Sequence, residues 1–155
     1  MTRLFFHSFA FLGLFALIAT TGCSSGGIPV QSVTGKITYN GEPVAGATVV
    51  FTSADAFGHS AGAITAADGT YVLETHAAQR PGATVGDFHV FVSKAIAIDR
   101  LGNEFLCDSQ PLGPSGRPET KHLLPLRYSG MNGAPAQFTA TVEKGRNVFD
   151  FNLED

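Results

Sequence analysis

Residues 33–51, which read VTGKITYNGEPVAGATVVF, decide the fold of this chain. They hold two β-rich runs, residues 33–39 and 47–52, separated by Asn40-Gly41 and Pro43. Asn-Gly accepts positive φ at both central positions of a tight turn, which makes it the strongest short-range signal for a chain reversal. Because Pro43 has no backbone N–H to donate, we expect the chain to change direction before the second run starts. The stretch therefore predicts the first corner of a β-sandwich.

Alternating apolar and polar side chains continue this pattern through most of the chain. Residues 87–94 predict the longest strand, which residues 95–98 can prolong, and Asp68-Gly69 predicts a hairpin joining residues 61–65 to 71–75. About seven short strands without a helical period predict an all-β fold, an antiparallel β-sandwich. The side chains expected to share the apolar faces are Val33, Gly35, Ile37, Tyr39, Ala47, Val49, Phe51, Phe88, Val90, Val92, Phe138, Ala140, Val142, Phe149, Phe151 and Leu153.

Composition divides the chain into three parts. Residues 1–22 are an apolar leader, residues 23–29 are small and breaker-rich, and residues 30–155 carry the strands. A domain of this size buries roughly two thirds of its unfolded surface, which is enough for one independent core. Inside it, residues 99–122 hold repeated prolines and glycines without a period, so we expect a long loop there. Residues 144–147 predict the last turn.

The leader has the dimensions of a secretory signal peptide. After a positively charged start, residues 4–19 are almost wholly apolar. Their central run, residues 9–19, is too short for a stable bilayer span of about 20 residues. It leads into Thr20-Thr21-Gly22-Cys23, which resembles the lipobox of bacterial lipoproteins, with Thr20 where that motif usually has an aliphatic residue. The resemblance implies cleavage after Gly22 and acylation of Cys23. The alternatives are an ordinary signal peptide that leaves Cys23 as a free thiol, and a retained membrane helix.

Acylation of Cys23 would place the protein on a membrane. Each buried methylene of an acyl chain contributes about 0.8 kcal/mol, so several chains hold a protein durably. Residues 23–29 would then act as a flexible tether between the lipid and the folded domain. We expect an exported, membrane-anchored bacterial lipoprotein on the periplasmic or cell-surface side.

The charge pattern argues against nucleic acid as a partner. The chain has 10 Lys and Arg against 13 Asp and Glu, with a formal net charge of −3, and no basic cluster. Binding to a phosphate backbone needs a concentrated positive field. We therefore expect no nucleic-acid binding.

Several short motifs lie along the predicted strands and turns. They are GKIT at 35–38, Gly41 with Pro43, AGATVVF at 45–51, TAADGTYVL at 65–73, PGA at 81–83, GDFHV at 86–90, Leu124-Pro125 with Tyr128-Ser129, and Gly145, Asn147, Asp150 and Phe151. Together they resemble the carboxypeptidase regulatory-like domain, a transthyretin-like β-sandwich, and in particular the small lipoproteins built from one such domain. Phe88 stands where that family more often has tyrosine. The resemblance implies the fold and an exported location, and it implies no catalytic residues.

An enzyme is a further alternative, because some transthyretin-like proteins are hydroxyisourate hydrolases. Those enzymes end in a Tyr-Arg-Gly-Ser signature, whereas this chain ends in FDFNLED at residues 149–155. We expect no enzymatic activity and no catalytic residues.

The histidines that follow the leader are scattered. His59, His76, His89 and His122 lie far apart in sequence, and no Cys pair flanks any of them. A metal site needs several converging ligands. We expect no metal and no cofactor, with a zinc role for His59 and His122 as the alternative.

The long loop carries carboxylates and a thiol. Asp99, Glu104, Asp108 and Glu119 are oxygen ligands of the kind that calcium takes, but their spacing matches no calcium-loop pattern. Cys107 is the only thiol left once Cys23 is acylated, and it is either unpaired or joined to another chain. We expect a solvated loop with a partly buried thiol.

An isopeptide bond between the first and last strands is a further hypothesis. Lys36 with Asn147 or Asn152 are the residue types that such a bond needs. We expect Lys36 on the wet face of its strand, whereas the reaction needs a dry site that lowers the lysine pKa.

These patterns favour a non-catalytic, lipid-anchored β-sandwich with a structural or interaction role at the cell envelope. Its partners would be the membrane, through the lipid on Cys23, and an envelope protein or glycan. The alternative is a carbohydrate- or peptide-binding module that uses residues 99–122 with Phe105 and Tyr128. The chain has no tryptophan, which counts against sugar stacking because tryptophan offers the largest stacking face.

Overall fold

The computed structural model describes residues 27–98 and 119–155. In these ranges, strands form the regular structure, together with two single turns of 3₁₀ helix, Leu126–Tyr128 and Met131–Gly133. No helix in these ranges is long and apolar enough to cross a bilayer. The strands are β1 Ser32–Tyr39, β2 Glu42–Pro43, β3 Thr48–Ser53, β4 Ala61–Ile64, β5 Thr70–Val72, β6 Glu74–Thr75, β7 Arg80–Pro81, β8 Gly86–Ser93, β9 Ala95–Ile98, β10 Glu119–His122, β11 Phe138–Val142, β12 Arg146–Val148 and β13 Phe151–Leu153.

Two sheets face each other, which confirms the predicted all-β sandwich. The large sheet is antiparallel in the order β11-β8-β3-β4-β6-β7. In the small sheet β1 is central, with β2 and β5 antiparallel to it and β12 and β13 parallel to it. The small sheet is thus mixed, because the last strands return beside the first in the same direction.

The core fills the space between the sheets around Phe51. The Phe51 ring lies 5.9 Å from the ring of Phe88 and 6.0 to 6.4 Å from those of Phe149, Phe151 and Tyr71, all tilted or edge-on. Such tilted pairs suit aromatic quadrupoles better than face-to-face stacking. The remaining buried apolar side chains are Val33, Ile37, Val44, Ala47, Val49, Ala61, Leu73, Ala83, Val90, Val92, Leu124, Tyr128, Ala140, Val142 and Leu153.

The first corner forms as the sequence predicts. Asn40 and Gly41 both have positive φ, 50° and 86°, as a tight hairpin turn requires. β2 pairs with β1 over only two residues, and the Val44 N–H then donates to the Ile37 carbonyl at 3.1 Å. From there the chain leaves the small sheet and enters the large sheet as β3.

The predicted hairpin around Asp68-Gly69 is only half right. Its second arm splits between the two sheets: β5 pairs with β1 in the small sheet, and β6 pairs with β4 in the large one. Leu73 lies at the crossing, where its N–H donates to Val33 at 3.0 Å and its carbonyl accepts from Gly82 at 2.6 Å. These bonds keep the buried crossing free of unpaired backbone groups.

The closing segment also differs from the prediction. Arg146 and Asn147 already belong to β12 instead of a turn, and Phe149 lies in a break between β12 and β13. The pairing with β1 keeps one register across the break, from Ser32 opposite Arg146 to Ile37 opposite Phe151.

Gly35 causes the break in the last strand. A Cβ at Gly35 would overlap the carbonyl oxygen of Phe149, which turns in over the glycine. Tyr71, opposite Gly35 on β5, donates its hydroxyl to that same oxygen at 2.7 Å. The missing side chain thus admits a carbonyl and a tyrosine hydroxyl to the inner face of the sheet.

The predicted long loop is shorter than residues 99–122. Glu119–His122 forms strand β10, which pairs antiparallel with Ala95–Ile98, and the latter is a separate strand that does not prolong β8. Four residues are too few for a period to show in the sequence, and a hairpin partner across a long gap leaves no local signal. Residues 99–118 lie outside the described ranges.

The sandwich has two ends, which we call the base and the apex. β1 starts at the base, where Gln31 pairs with Ala83 and the side chain of Gln31 accepts from the Gly145 N–H at 2.8 Å. β1 ends at the apex with the Asn40-Gly41 turn. Asp155, the last residue, also lies at the apex, bonded to Tyr39 and Asn40.

Candidate functional site at the apex

A depression of about 300 Å³ opens at the apex. Val44 and Leu124 are buried and provide apolar floor, while Glu42 and Lys94 bring charges of opposite sign. Small-molecule sites begin at about this volume and combine apolar walls with a few polar groups. The lining residues are Tyr39, Glu42, Pro43, Val44, Ala45, Lys94, Leu123 and Leu124.

The depression sits at the foot of the β9–β10 hairpin. Lys94 directly precedes β9 and Leu123 directly follows β10, and the Leu123 N–H donates to the Lys94 carbonyl at 2.8 Å. The same hairpin carries residues 99–118. Two lining residues therefore flank the stretch that the sequence singles out as a binding loop.

Tyr39 joins the depression to a polar cluster formed by Tyr39, Asn40, Arg127, Tyr128 and Asp155. The Tyr39 hydroxyl donates to one carboxylate oxygen of Asp155, and the Asn40 amide donates to the other at 3.1 Å. The bond to Asp155 raises the pKa of Tyr39, because it stabilises the neutral phenol. The bonds from Tyr39 and Asn40 lower the pKa of Asp155, because they stabilise its carboxylate.

Arg127 closes the other side of this polar cluster. Its guanidinium lies 4.7 Å from the centroid of the Tyr128 ring and donates to the Tyr128 hydroxyl at 3.2 Å and to the Glu154 carbonyl. The Glu154 N–H donates to the Tyr128 hydroxyl at 3.2 Å. These bonds hold the end of the chain against the 3₁₀ turn, so the cluster acts first as a clamp.

Tyr128 is not a free stacking face. Its side chain is 8% exposed, and the Phe138 ring stacks on it with centroids 5.4 Å apart and planes 6° apart. The hypothesis that Tyr128 stacks on a sugar therefore does not fit its position. Tyr39, which is half-buried and lines the depression, is the aromatic side chain placed to meet a ligand there.

The four histidines are spread over the sandwich. His59 lies half-buried between β3 and β4, His76 is exposed between β6 and β7, His89 is exposed on β8, and His122 is half-buried on β10. Over residues 27–98 and 119–155, no three His, Cys, Asp or Glu side chains come together as a metal site would need. Within these ranges, none of the histidines therefore belongs to a cluster of three such ligands.

Several sequence-predicted site residues lie outside the described ranges. They are Gly22 and Cys23 before the domain, and Asp99, Glu104, Phe105, Cys107 and Asp108 in the loop. The predictions about cleavage, acylation, calcium and the thiol stay predictions. Of the loop carboxylates, only Glu119 lies within the described ranges, at the start of β10.

The two asparagines of the isopeptide hypothesis, Asn147 and Asn152, hydrogen-bond to other partners. Asn147 exchanges two bonds of 2.9 Å with the backbone of Glu143. The carbonyl oxygen of the Asn152 amide accepts from Thr38 at 2.8 Å. Lys36 is half-buried and lies opposite Thr70 in register.

No sequence pattern predicts the polar cluster, because its members meet only through the parallel return of the last strands. Asp155 lies beside Tyr39 because Leu153, two residues earlier on β13, pairs with Tyr39 on β1. No local sequence pattern predicts that pairing. No sequence pattern predicts the role of the buried Thr65 either. Its hydroxyl donates to the Val44 carbonyl at 2.6 Å and accepts from the Ala47 N–H at 2.8 Å. These bonds tie the end of β4 to the segment that leads from β2 into β3.

No family model, curated protein or solved structure matches this chain. The resemblance to the carboxypeptidase regulatory-like domain therefore stays a prediction from the motifs. Any proposal about function depends on the residues and their geometry.

Proposed function

We propose that this chain is an exported, lipid-anchored, non-catalytic β-sandwich protein with a structural or interaction role at the cell envelope. The observation that carries the proposal is the apolar leader that ends in Gly22-Cys23, about eight residues before Gln31, the first residue paired in the sandwich. An acyl group on Cys23 would therefore sit directly in front of an independently folded domain.

The polar side chains at the apex have a structural role. At the apex, Tyr39 donates to Asp155 and Arg127 donates to the Glu154 carbonyl, so both side chains hold the segment after β13. In residues 27–98 and 119–155, every buried side-chain nitrogen and oxygen has a hydrogen-bond partner.

Mass spectrometry of the full chain, extracted from membranes of a bacterial host, tests this proposal. The expected product begins at Cys23 and carries acyl groups. The matched control is Cys23→Ser, which should keep the leader and carry no lipid. A soluble wild-type product that begins elsewhere and has an unmodified Cys23 contradicts the proposal.

A peptide-binding role is the second candidate, favoured by the depression at the foot of the β9–β10 hairpin. Lys94 and Glu42 could pair with charges on an extended peptide, and Tyr39 with an apolar side chain. A peptide suits the site better than a glycan, because Tyr128 is covered and the chain has no tryptophan.

Titration of the full chain with a peptide library tests the second candidate. Lys94→Ala should weaken binding about tenfold or more if this lysine meets a carboxylate, since a charge-assisted bond contributes roughly 1.5–3 kcal/mol. Lys144→Ala, at an exposed lysine of the base, is the control and should leave affinity unchanged. Equal affinities for the wild type, Lys94→Ala and Lys144→Ala would exclude the depression as the site.

A further inference from the structure

The base of the sandwich presents an aromatic side chain to solvent. Phe57 is 96% exposed, more than any other large apolar side chain in the described ranges. It lies in the turn between β3 and β4, and β3 runs from the apex to the base. A single exposed apolar side chain is common on folded proteins, so the meaning of Phe57 depends on what else lies at the same end of the molecule.

The turn that carries Phe57 is built to hold its shape. The Gly58 N–H donates to the Asp55 carbonyl at 3.0 Å, and the Asp55 N–H donates to the Ser53 hydroxyl at 3.1 Å. A Cβ at Gly58 would overlap that hydroxyl, so the tight turn needs glycine there. Ala54 ties the loop to β8 by donating to Asp87 at 2.9 Å. Because the turn is already ordered, Phe57 can enter an apolar phase with little further loss of chain entropy.

The start of the domain lies at the same end of the molecule. Gln31 exchanges two backbone bonds with Ala83, of 2.7 and 3.0 Å. Val85, two residues beyond Ala83, is 53% exposed and gives the base a second exposed apolar side chain. Gln31, from which the chain leads back to Cys23, thus lies at the same end of the sandwich as Phe57 and Val85.

The charges at the base do not form a field of one sign. Asp55 and Glu143 lie there with Lys144 and Arg146, and all four are exposed. Such a mixture gives little net attraction to anionic lipid headgroups, which polybasic surfaces use. The apolar side chains therefore determine what the base can contact.

We propose that the base rests on the membrane that holds the lipid anchor, with Phe57 inserted at the boundary between headgroups and acyl chains. This inference rests on the proposed acylation of Cys23. About eight residues separate Cys23 from Gln31, and they span at most roughly 28 Å when fully extended, so the base cannot move far from the bilayer. Aromatic and aliphatic side chains on a membrane-facing surface bury roughly 5–10 Å into that boundary. The anchor and Phe57 then hold the sandwich at two points, with its apex away from the membrane.

Tryptophan fluorescence tests the inference because the chain has no tryptophan of its own. The full chain with Phe57→Trp is purified from bacterial membranes and reconstituted into phosphatidylcholine–phosphatidylglycerol vesicles. Lipids brominated near the top of their acyl chains should quench the tryptophan about twofold, and its emission should shift to the blue. Val85→Trp is a second probe at the base. Leu126→Trp is the matched control at the apex, where Leu126 is 45% exposed.

The outcomes separate this inference from the proposed function. Quenching of Phe57→Trp without quenching of Leu126→Trp, on protein whose mass shows an acylated Cys23, supports the inference. An acylated protein in which neither base probe is quenched more than the apex probe overturns the inference and leaves the lipid anchor in place. An unmodified Cys23 overturns both.

Discussion

Gly35 on β1 lies opposite Tyr71 of β5 and next to the backbone of Phe149. Its missing side chain leaves room for the Phe149 carbonyl and the Tyr71 hydroxyl, which bond to each other over the glycine. We expect Gly35→Ala to lower the free energy of unfolding by about 2–3 kcal/mol, because the backbone of Phe149 cannot move away without breaking its bond to Thr34. Gly62→Ala is the control, since its Cβ would meet Val49 at an ordinary 3.5 Å. Urea unfolding of the two variants measures the difference, and equal midpoints would contradict this role for Gly35.

Tyr71→Phe isolates the hydroxyl from the ring at the same site. We expect a loss of about 1–2 kcal/mol, because the partly buried Phe149 carbonyl loses its donor while the ring packing against Phe51 stays. Tyr39→Phe is the matched control, because its hydroxyl bonds to Asp155 in an exposed position. Urea unfolding at neutral pH compares them, and a larger loss in Tyr39→Phe would be the contrary result.

Burial of Tyr71 also predicts a pH dependence. Desolvation, with a smaller effect of Asp150, raises the pKa of Tyr71 above its ordinary value of about 10. The unfolded state then loses this proton at a lower pH than the folded state does. Stability from Tyr71 is therefore complete below about pH 10 and falls as the pH rises, by up to about 1.4 kcal/mol per unit. Urea unfolding at several pH values should show a shallower fall for Tyr71→Phe than for the wild type, and identical slopes would argue against it.

At the scale of elements, β1 has hydrogen-bonded neighbours on both sides. β5 and β2 lie along one edge, and β12 and β13 lie along the other. Local opening of such a strand needs the loss of several pairings at once. In native-state hydrogen exchange we expect amides of β1, β3 and β8 to exchange last. Those of β9 and β10 should exchange early, because within the described residues that hairpin pairs with no other strand. Early exchange throughout β1 would contradict its central place.

The elements also show which parts of the fold are local and therefore predictable. The alternation of Val33, Gly35 and Ile37, and the Asn40-Gly41 turn, act within a few residues, and the structure reproduces both. The split of residues 70–75 between two sheets and the break at Phe149 depend on partners far along the chain. Long-range pairing leaves no period in a single strand, so these features could not be predicted.

The same limit applies to the candidate site. The lipobox-like segment with Cys23 is a local motif that the sequence displays by itself. The depression and the polar cluster join Tyr39, Lys94 and Arg127, which lie far apart in the chain and meet only once both sheets have closed. No spacing rule links such residues.

For the whole molecule, the pairing of first and last strands makes folding slow. Thr38 and Asn152, which pair and share a side-chain bond, are 114 residues apart. Closing a loop of that length costs entropy before any pairing compensates for it. We expect refolding on dilution from urea to take milliseconds to seconds when it is monitored by stopped-flow circular dichroism. Complete refolding within microseconds would be incompatible with this topology.

The parallel return of the last strands has a mechanical consequence. β1 leaves the sandwich at the base and β13 leaves it at the apex, and the two strands run side by side in the same direction. Tension applied between the two ends of the domain therefore pulls these strands past each other, and their ladder of backbone bonds is loaded all at once instead of opening one bond after another. Forced unfolding is governed by the unfolding rate under load, and this geometry keeps that rate low. A domain fixed by its first strand and pulled by its last would resist extension along its long axis.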